Sequence, residues 1–175
     1  MKRTIILISI LLIFSTLTVF AQPVPRQRTE EFEKLNVFAG KWQSKGKVYT
    51  GEEMPTIETK GEHTFEWVMG KTWLMWNTSE GMFSGYGLIT WDNEEDKYNF
   101  FWFDNLLTQP SEYQGNWKDS QTLVFNGKIH SRGKVTLARI TWKFVSENET
   151  KIVHEVSADG KNYRVRFEAT WKKKQ

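Results

Sequence analysis

From Gly40 onward, apolar and polar residues alternate one by one for most of the chain. Residues 41–50 carry Trp42, Ser44, Gly46 and Val48 on one side and Lys41, Gln43, Lys45 and Lys47 on the other. Residues 57–67 set Ile57, His63, Phe65 and Trp67 against Glu58, Lys60, Glu62 and Glu66. Residues 162–171 set Tyr163, Val165, Phe167, Ala169 and Trp171 against Asn162, Arg164, Arg166 and Glu168. A period of two is that of a strand with one dry and one wet face. The segment before Gly40 differs. Thr29 suits a helix N-cap, and Glu30, Glu31 and Glu33 suit the positive end of a first turn. Phe32, Leu35 and Phe38 follow at helical spacing, and Gly40 stops the segment. The pattern predicts one short amphipathic helix and then strands.

The middle strands can be placed by register. Asn93–Asp96 reads as a turn. Pairing Asp92 with Lys97 then sets Trp91 against Tyr98, Ile89 against Phe100 and Gly87 against Trp102, where the indole can lie over the missing side chain. A turn near Asp119 sets Gly115 against Phe125 and Tyr113 against Gly127. A turn at Glu147 and Asn148 sets Arg139 against Glu155 outside and Ile140 beside His154 inside. About ten strands result, joined mostly by tight turns and with no helical crossover. The expectation is an all-β fold, a single antiparallel up-and-down β-barrel, with a two-sheet sandwich as the structural alternative.

The first residues change the cellular picture. Lys2 and Arg3 precede an apolar run from Thr4 to Phe20, and Val19-Phe20-Ala21 has the form of a cleavage site. Residues 1–21 are expected to be a cleaved signal peptide, with 22–175 as the barrel domain in a periplasmic or secreted location and no stable membrane span after cleavage. Removing Lys2 and Arg3 leaves 22 basic against 21 acidic residues. With that near-neutral balance, and no basic face showing along the sequence, no nucleic-acid partner is expected. Lys172-Lys173-Lys174 reads as a solvated tail. The chain has no cysteine, so neither disulfides nor thiolate metal sites are available, and the core must stabilise the fold alone. That core is aromatic, drawn from 9 Trp, 12 Phe and 5 Tyr.

The helix followed by Gly40-Lys41-Trp42 resembles the Gly-x-Trp entry of lipocalins and their calycin relatives. Further along, Leu35 to Gly40 and Trp42, then Trp67-Val68-Met69-Gly70-Lys71-Thr72-Trp73-Leu74, Gly85-Tyr86-Gly87-Leu88-Ile89-Thr90-Trp91-Asp92, Tyr98 and Trp102-Phe103-Asp104 resemble one bacterial family of exported calycin-like proteins, domain of unknown function fifteen seventy-nine. Met69 departs from that family's pattern, standing where one of two turn glycines is usual. The resemblance implies a lipocalin-like barrel and export, and no activity. By the same likeness Trp42 is expected to plug the closed end, beneath Arg164 or Arg166.

Parity puts few polar groups on the dry face: His63, Asp104, Tyr113, His154 and Tyr163. Each needs a hydrogen-bonding partner in the protein or on a ligand, because a buried unpaired polar group costs about 1–3 kcal/mol. His130 falls on the wet face. No nucleophile elbow, HExxH or phosphate loop is present, and no catalytic residue is assigned; Asp104 and Tyr113 would form an acid/base pair only if they face each other. No cofactor or metal site is assigned. The alternative is haem, because a neutral imidazole can ligate its iron and a late-strand histidine in a ten-stranded barrel is similar to the nitrobindins; His154 is the candidate.

Eight tryptophans are expected to point inward: Trp42, Trp67, Trp76, Trp91, Trp102, Trp117, Trp142 and Trp171. Either they fill the barrel, leaving a scaffold whose outside contacts another macromolecule, or they line a cavity. Gly46, Gly61, Gly87, Gly115 and Gly127 open space for a ligand on the second view and merely seat the indoles on the first. The leading expectation is binding of a small hydrophobic or amphipathic molecule, with Trp76, Trp102 and Trp117 as walls and His63, Asp104, Tyr113, His154 and Tyr163 as polar contacts.

Overall fold

The computed structural model describes residues 26–51, 55–131 and 133–175. The leader expected over residues 1–21 lies outside them. A short helix α1 (Glu30–Lys34) runs into a 3₁₀ turn (Leu35–Phe38). Ten strands follow: β1 (Gly40–Val48), β2 (Ile57–Val68), β3 (Trp73–Glu80), β4 (Phe83–Asp92), β5 (Lys97–Asp104), β6 (Ser111–Trp117), β7 (Thr122–Ser131), β8 (Lys134–Ser146), β9 (Glu149–Ser157) and β10 (Arg164–Lys173). Each pairs antiparallel with its sequence neighbour, and β1 pairs with β10 to close the cylinder. This is the up-and-down barrel the alternation predicts, and closure rules out the sandwich.

The registers read from sequence hold. Asp92 pairs with Lys97, Gly87 with Trp102, Gly115 with Phe125 and Tyr113 with Gly127, and Ile140 with His154. They hold because one dry face leaves no freedom to slip: a shift of one residue would turn every ring outward.

Helix α1 is too short to be stable alone. Thr29 occupies the N-cap position, yet its hydroxyl makes no capping bond. Burial fixes the segment instead. Phe32, Leu35 and Phe38 are fully buried, each stabilising by roughly 1.5–3 kcal/mol. Phe38 meets Phe144 at 4.9 Å and Trp142 at 5.4 Å between ring centres. The Tyr98 hydroxyl donates to the Glu31 carbonyl at 2.9 Å, and the Trp67 indole N–H donates to Asn36 at 2.8 Å. The helix therefore stoppers the end of the barrel where β1 begins. The other end carries the connections that follow β1, β3, β5, β7 and β9.

Trp42 lies at the stoppered end, its indole N–H donating to the Phe38 carbonyl at 2.7 Å. The cation above it is Lys173, 5.2 Å from the ring centre, not Arg164 or Arg166. β10 runs from the open end to the stoppered end, so its last residues reach Trp42 and its first do not. Nor is the lysine run a free tail. Lys172 and Lys173 extend the pairing of β10 with β1, and Lys174 bridges to Glu62 at 2.6 Å.

A bulge between Val165 and Phe167 breaks the period of two in β10. Beyond it Arg164 pairs with Val156 and shares its inward face, while Val165 pairs with Glu155 and faces out. The turn between β2 and β3 is also unusual. Met69, Gly70 and Lys71 all take left-handed φ values, of 50°, 68° and 64°. Met69 thus adopts the conformation that a glycine accepts most easily.

Candidate functional site

The interior divides into two halves. The stoppered half is solid with rings: Trp76 lies 5.5 Å from Phe65, 5.7 Å from Trp142 and 5.3 Å from Trp171. Toward the open end the inward positions mix small residues, Ser44, Gly46, Gly61, Thr78, Ala138 and Ala169, with larger ones, Glu80, Phe83, Trp102, Val156 and Phe167. The glycines here are covered. A Cβ on Gly85 would strike the Trp102 ring at 2.6 Å, one on Gly127 would strike Tyr113 at 2.4 Å, and one on Gly46 would strike Ala169 at 2.7 Å. Their role is to let neighbours lie flat against the wall, where a larger residue would push the rings across the lumen.

His63, on β2 between the two halves, is 2% exposed. Its ring stacks on Trp171 at 3.8 Å with 10° between planes. Nδ1 lies 2.7 Å from the Thr78 hydroxyl and accepts the Trp76 indole N–H at 3.4 Å, while Nε2 is buried without a partner among the described residues. Burial holds the imidazole pKa down to about 4. His154, on β9 beside Phe167 and Ile140, likewise has a buried Nε2 with no partner among the described residues. Burial first, and Arg166 second, lower its pKa to about 4. Both histidines are neutral at pH 7.

Other expected contacts have protein partners or lie elsewhere. Trp76 and Trp102 do meet, at 4.5 Å between ring centres. Asp104 stands at the open rim, and its carboxylate is committed. One oxygen accepts the Trp102 indole N–H at 2.8 Å; the other accepts the backbone N–H groups of Leu106 and Leu107 at 2.8 and 2.9 Å. This is a brace for the β5–β6 connection. Tyr113 is buried across from Phe100 and Gly127, and burial raises its phenol pKa, the charge of Asp104 adding to the effect. Trp117 lies at the stoppered end, against Phe144 at 5.8 Å, away from Trp76 and Trp102. Tyr163 is on the outer face, its ring 4.3 Å beneath the Arg139 guanidinium, which itself pairs with Glu155 at 2.8 Å. The bulge at Val165 removes it from the inward set that parity assigned. His130 is exposed on β7, as its parity implies.

One buried carboxylate is absent from the sequence-based set. The alternation Leu74, Trp76, Thr78 continues to Glu80, which is 9% exposed at the open end of β3. It accepts a hydrogen bond from the Thr59 hydroxyl and stands over Gly61, where an added Cβ would meet the Glu80 carboxylate at 3.0 Å and the Ser44 hydroxyl at 2.8 Å. Burial raises its pKa. Following the alternation one step further would have found it; its proximity to the β3–β4 turn hid it. Among the described residues no group of three or more His, Asp or Glu side chains can hold a metal ion, and no helix is long and apolar enough to cross a membrane.

Ten strands closed around an aromatic core, stoppered by one N-terminal helix, define a lipocalin-like barrel of the calycin type. Residues 27–173 match the family described as protein of unknown function (DUF1579), and the chain belongs to it. No curated protein matches. Among solved structures, Rv2717c from M. tuberculosis superposes with a TM-score of 0.61 at 9% identity, over 85% of this chain and 100% of that one. EF1p2_mFAP2b bound to DFHBI superposes with a TM-score of 0.40 at 12% identity, over 82% and 98%. The first likeness shows the fold.

Proposed function

We propose that this protein is an exported barrel that holds a small hydrophobic or amphipathic molecule in the open half of its lumen. One observation carries the reading. Two neutral imidazoles, His63 and His154, keep a buried Nε2 without a hydrogen-bond partner among the described residues, beside a half whose walls mix Gly46, Gly61, Ser44, Thr78 and Ala169 with Trp102, Val156 and Phe167. Each orphan costs about 1–3 kcal/mol, and a ligand that pairs with them recovers it. Trp102 and Tyr113 supply apolar wall, as small-molecule sites require. Trp117 and Tyr163 take no part. Export rests on the leader-like first 21 residues. A mature N-terminus at Gln22 in envelope fractions would support it, and an intact leader in the cytoplasm would contradict it.

Native mass spectrometry of protein purified from its own cell envelope tests binding directly. The expected outcome is a co-purifying mass of a few hundred daltons. An apo mass, with no tryptophan quenching across a panel of lipids and aromatic compounds, would end the reading.

His154 favours a second reading, haem. Its imidazole is neutral, and its buried Nε2 has no hydrogen-bond partner among the described residues, as a nitrogen that ligates iron would require. Haem supplies redox and diatomic-gas chemistry where it binds; this chain would supply the ligand and the dry wall. A Soret band at micromolar haem that disappears in His154→Ala supports it, and no band in the native protein excludes it.

A further inference from the structure

Five consecutive strands place one outward residue each in a single row: Lys60 on β2, Lys45 on β1, Thr170 on β10, Lys151 on β9 and Lys143 on β8. The row does not show along the sequence, because only the register brings its members together. All four lysines are exposed, and none makes an ion pair among the described residues. The carboxylates beside them are engaged elsewhere. Toward the stoppered end Glu62 bridges to Lys174 at 2.6 Å and Glu149 to Lys172 at 3.6 Å. Toward the open end Glu168 accepts the Tyr49 hydroxyl at 2.6 Å, and Lys47 stands in register between Glu58 and Glu168. At the β8 end, the Asp119 pKa is lowered first by the Gln121 backbone N–H and more weakly by the charge of Lys143, so Lys143 is partly compensated. Directly opposed like charges are destabilising, and the pairs Lys45–Lys60 and Lys143–Lys151 are of that kind. An anion lying along the row removes that repulsion. An open hollow on the outer surface, lined by Lys45, Lys60, Lys151 and Thr170, gives it a seat.

The shape of the row narrows the partner. It crosses four of the ten strand-to-strand steps of the closed cylinder, so it turns through about two fifths of the circumference. A flat lipid surface cannot meet Lys60 and Lys143 together, whereas a flexible chain can wrap across both. Neighbouring strands lie about 4.7–4.9 Å apart, a spacing close to the length of one sugar residue in a chain. Single-stranded nucleic acid is held by aromatic platforms as well as by cations. No ring stands in this row or in the register rows on either side of it. We propose that this outer face binds a linear acidic polysaccharide, its carboxylates lying along the lysines and a sugar hydroxyl meeting Thr170. The surface is outside the barrel and acts independently of anything held in the lumen.

Calorimetry compares four probes: an octamer of galacturonic acid, its methyl ester without the charges, an oligothymidylate of equal length, and vesicles of anionic phospholipid. The acidic octamer is expected to bind about tenfold or more tightly than each of the others in dilute buffer. Its affinity should fall roughly 10–100-fold between about 50 and 200 mM salt, as the row's counterions are released on binding. Lys60→Glu should weaken the octamer about tenfold or more, while the urea midpoint of the variant stays at or above that of the native protein. Lys128→Glu makes the same charge change at an exposed position on β7, off the row, and should alter binding by about twofold or less. A row that served the fold alone would not move affinity and stability in opposite directions. Equal binding of the methyl ester, tighter binding of the oligothymidylate or the vesicles, equal losses in the two variants, or no binding of the octamer in dilute buffer overturns the proposal.

Discussion

Glu80 shows how far a single side chain can sit from its comfortable state. Its carboxylate lies among Thr59, Ser44 and Gly61, where burial raises its pKa more than two hydroxyl groups lower it. A carboxyl whose pKa is raised on folding favours the folded state most at low pH. That contribution is lost as pH rises from the ordinary carboxyl range through the raised value. Replacing Glu80 by Gln keeps an acceptor for Thr59 and removes the charge. The variant is expected to be more stable than the native protein at pH 7 by on the order of 1 kcal/mol, since water at the open end screens part of the cost. The gain should vanish near pH 4. Urea midpoints at the two pH values check this, and a variant less stable at pH 7 would show that the carboxylate is needed there.

Strands explain which residues could be placed from sequence and which could not. Alternation sorted His63, Tyr113 and His154 inward because the period of two is unbroken on either side of each in its strand. It misplaced Tyr163 because a bulge inserts one residue without any mark in composition: Val165 and Phe167 are both apolar, and either parity fits. It placed Trp117 inward without saying at which height, since parity has no axial coordinate. The wet face carries its own information. Lys60, Lys45, Thr170, Lys151 and Lys143 lie in one row across five strands. Two of those cross-strand pairs, Lys45 with Lys60 and Lys143 with Lys151, oppose like charges. Directly opposed like charges are destabilising. Lys60→Glu is therefore expected to raise stability by about 0.2–1 kcal/mol in low salt, and the gain should shrink as salt rises to 1 M. A variant no more stable than the parent in dilute buffer would mean the row carries no repulsive cost.

At the scale of the whole barrel, the two buried histidines set the acid limit. Their folded pKa values are near 4 against 6.5 in the unfolded chain. A base whose pKa is depressed on folding contributes stability that is complete above 6.5 and is lost as pH falls toward 4, because the unfolded chain takes up protons that the folded chain refuses. Each histidine can cost up to about 1.4 kcal/mol per pH unit across that window. The acid-lowered carboxyls Asp92, Asp119 and Asp159 join only below it. Denaturation midpoints should be flat above pH 7 and fall from pH 6.5 to 4.5, and His63→Phe with His154→Phe should flatten the fall. A native midpoint unchanged at pH 5 would show that both imidazoles reach water.

The stopper also has a kinetic consequence. Phe32, Leu35 and Phe38 seal one end of the cylinder, and Trp42 is pinned beneath Lys173 at that same end. Under the binding function proposed above, a guest would arrive and leave through the other end, past the connections that Asp104 and Asp159 brace with their own carboxylates. On that reading, loosening either brace would speed capture and escape together and leave the affinity nearly unchanged, so the rim would set how long a guest stays.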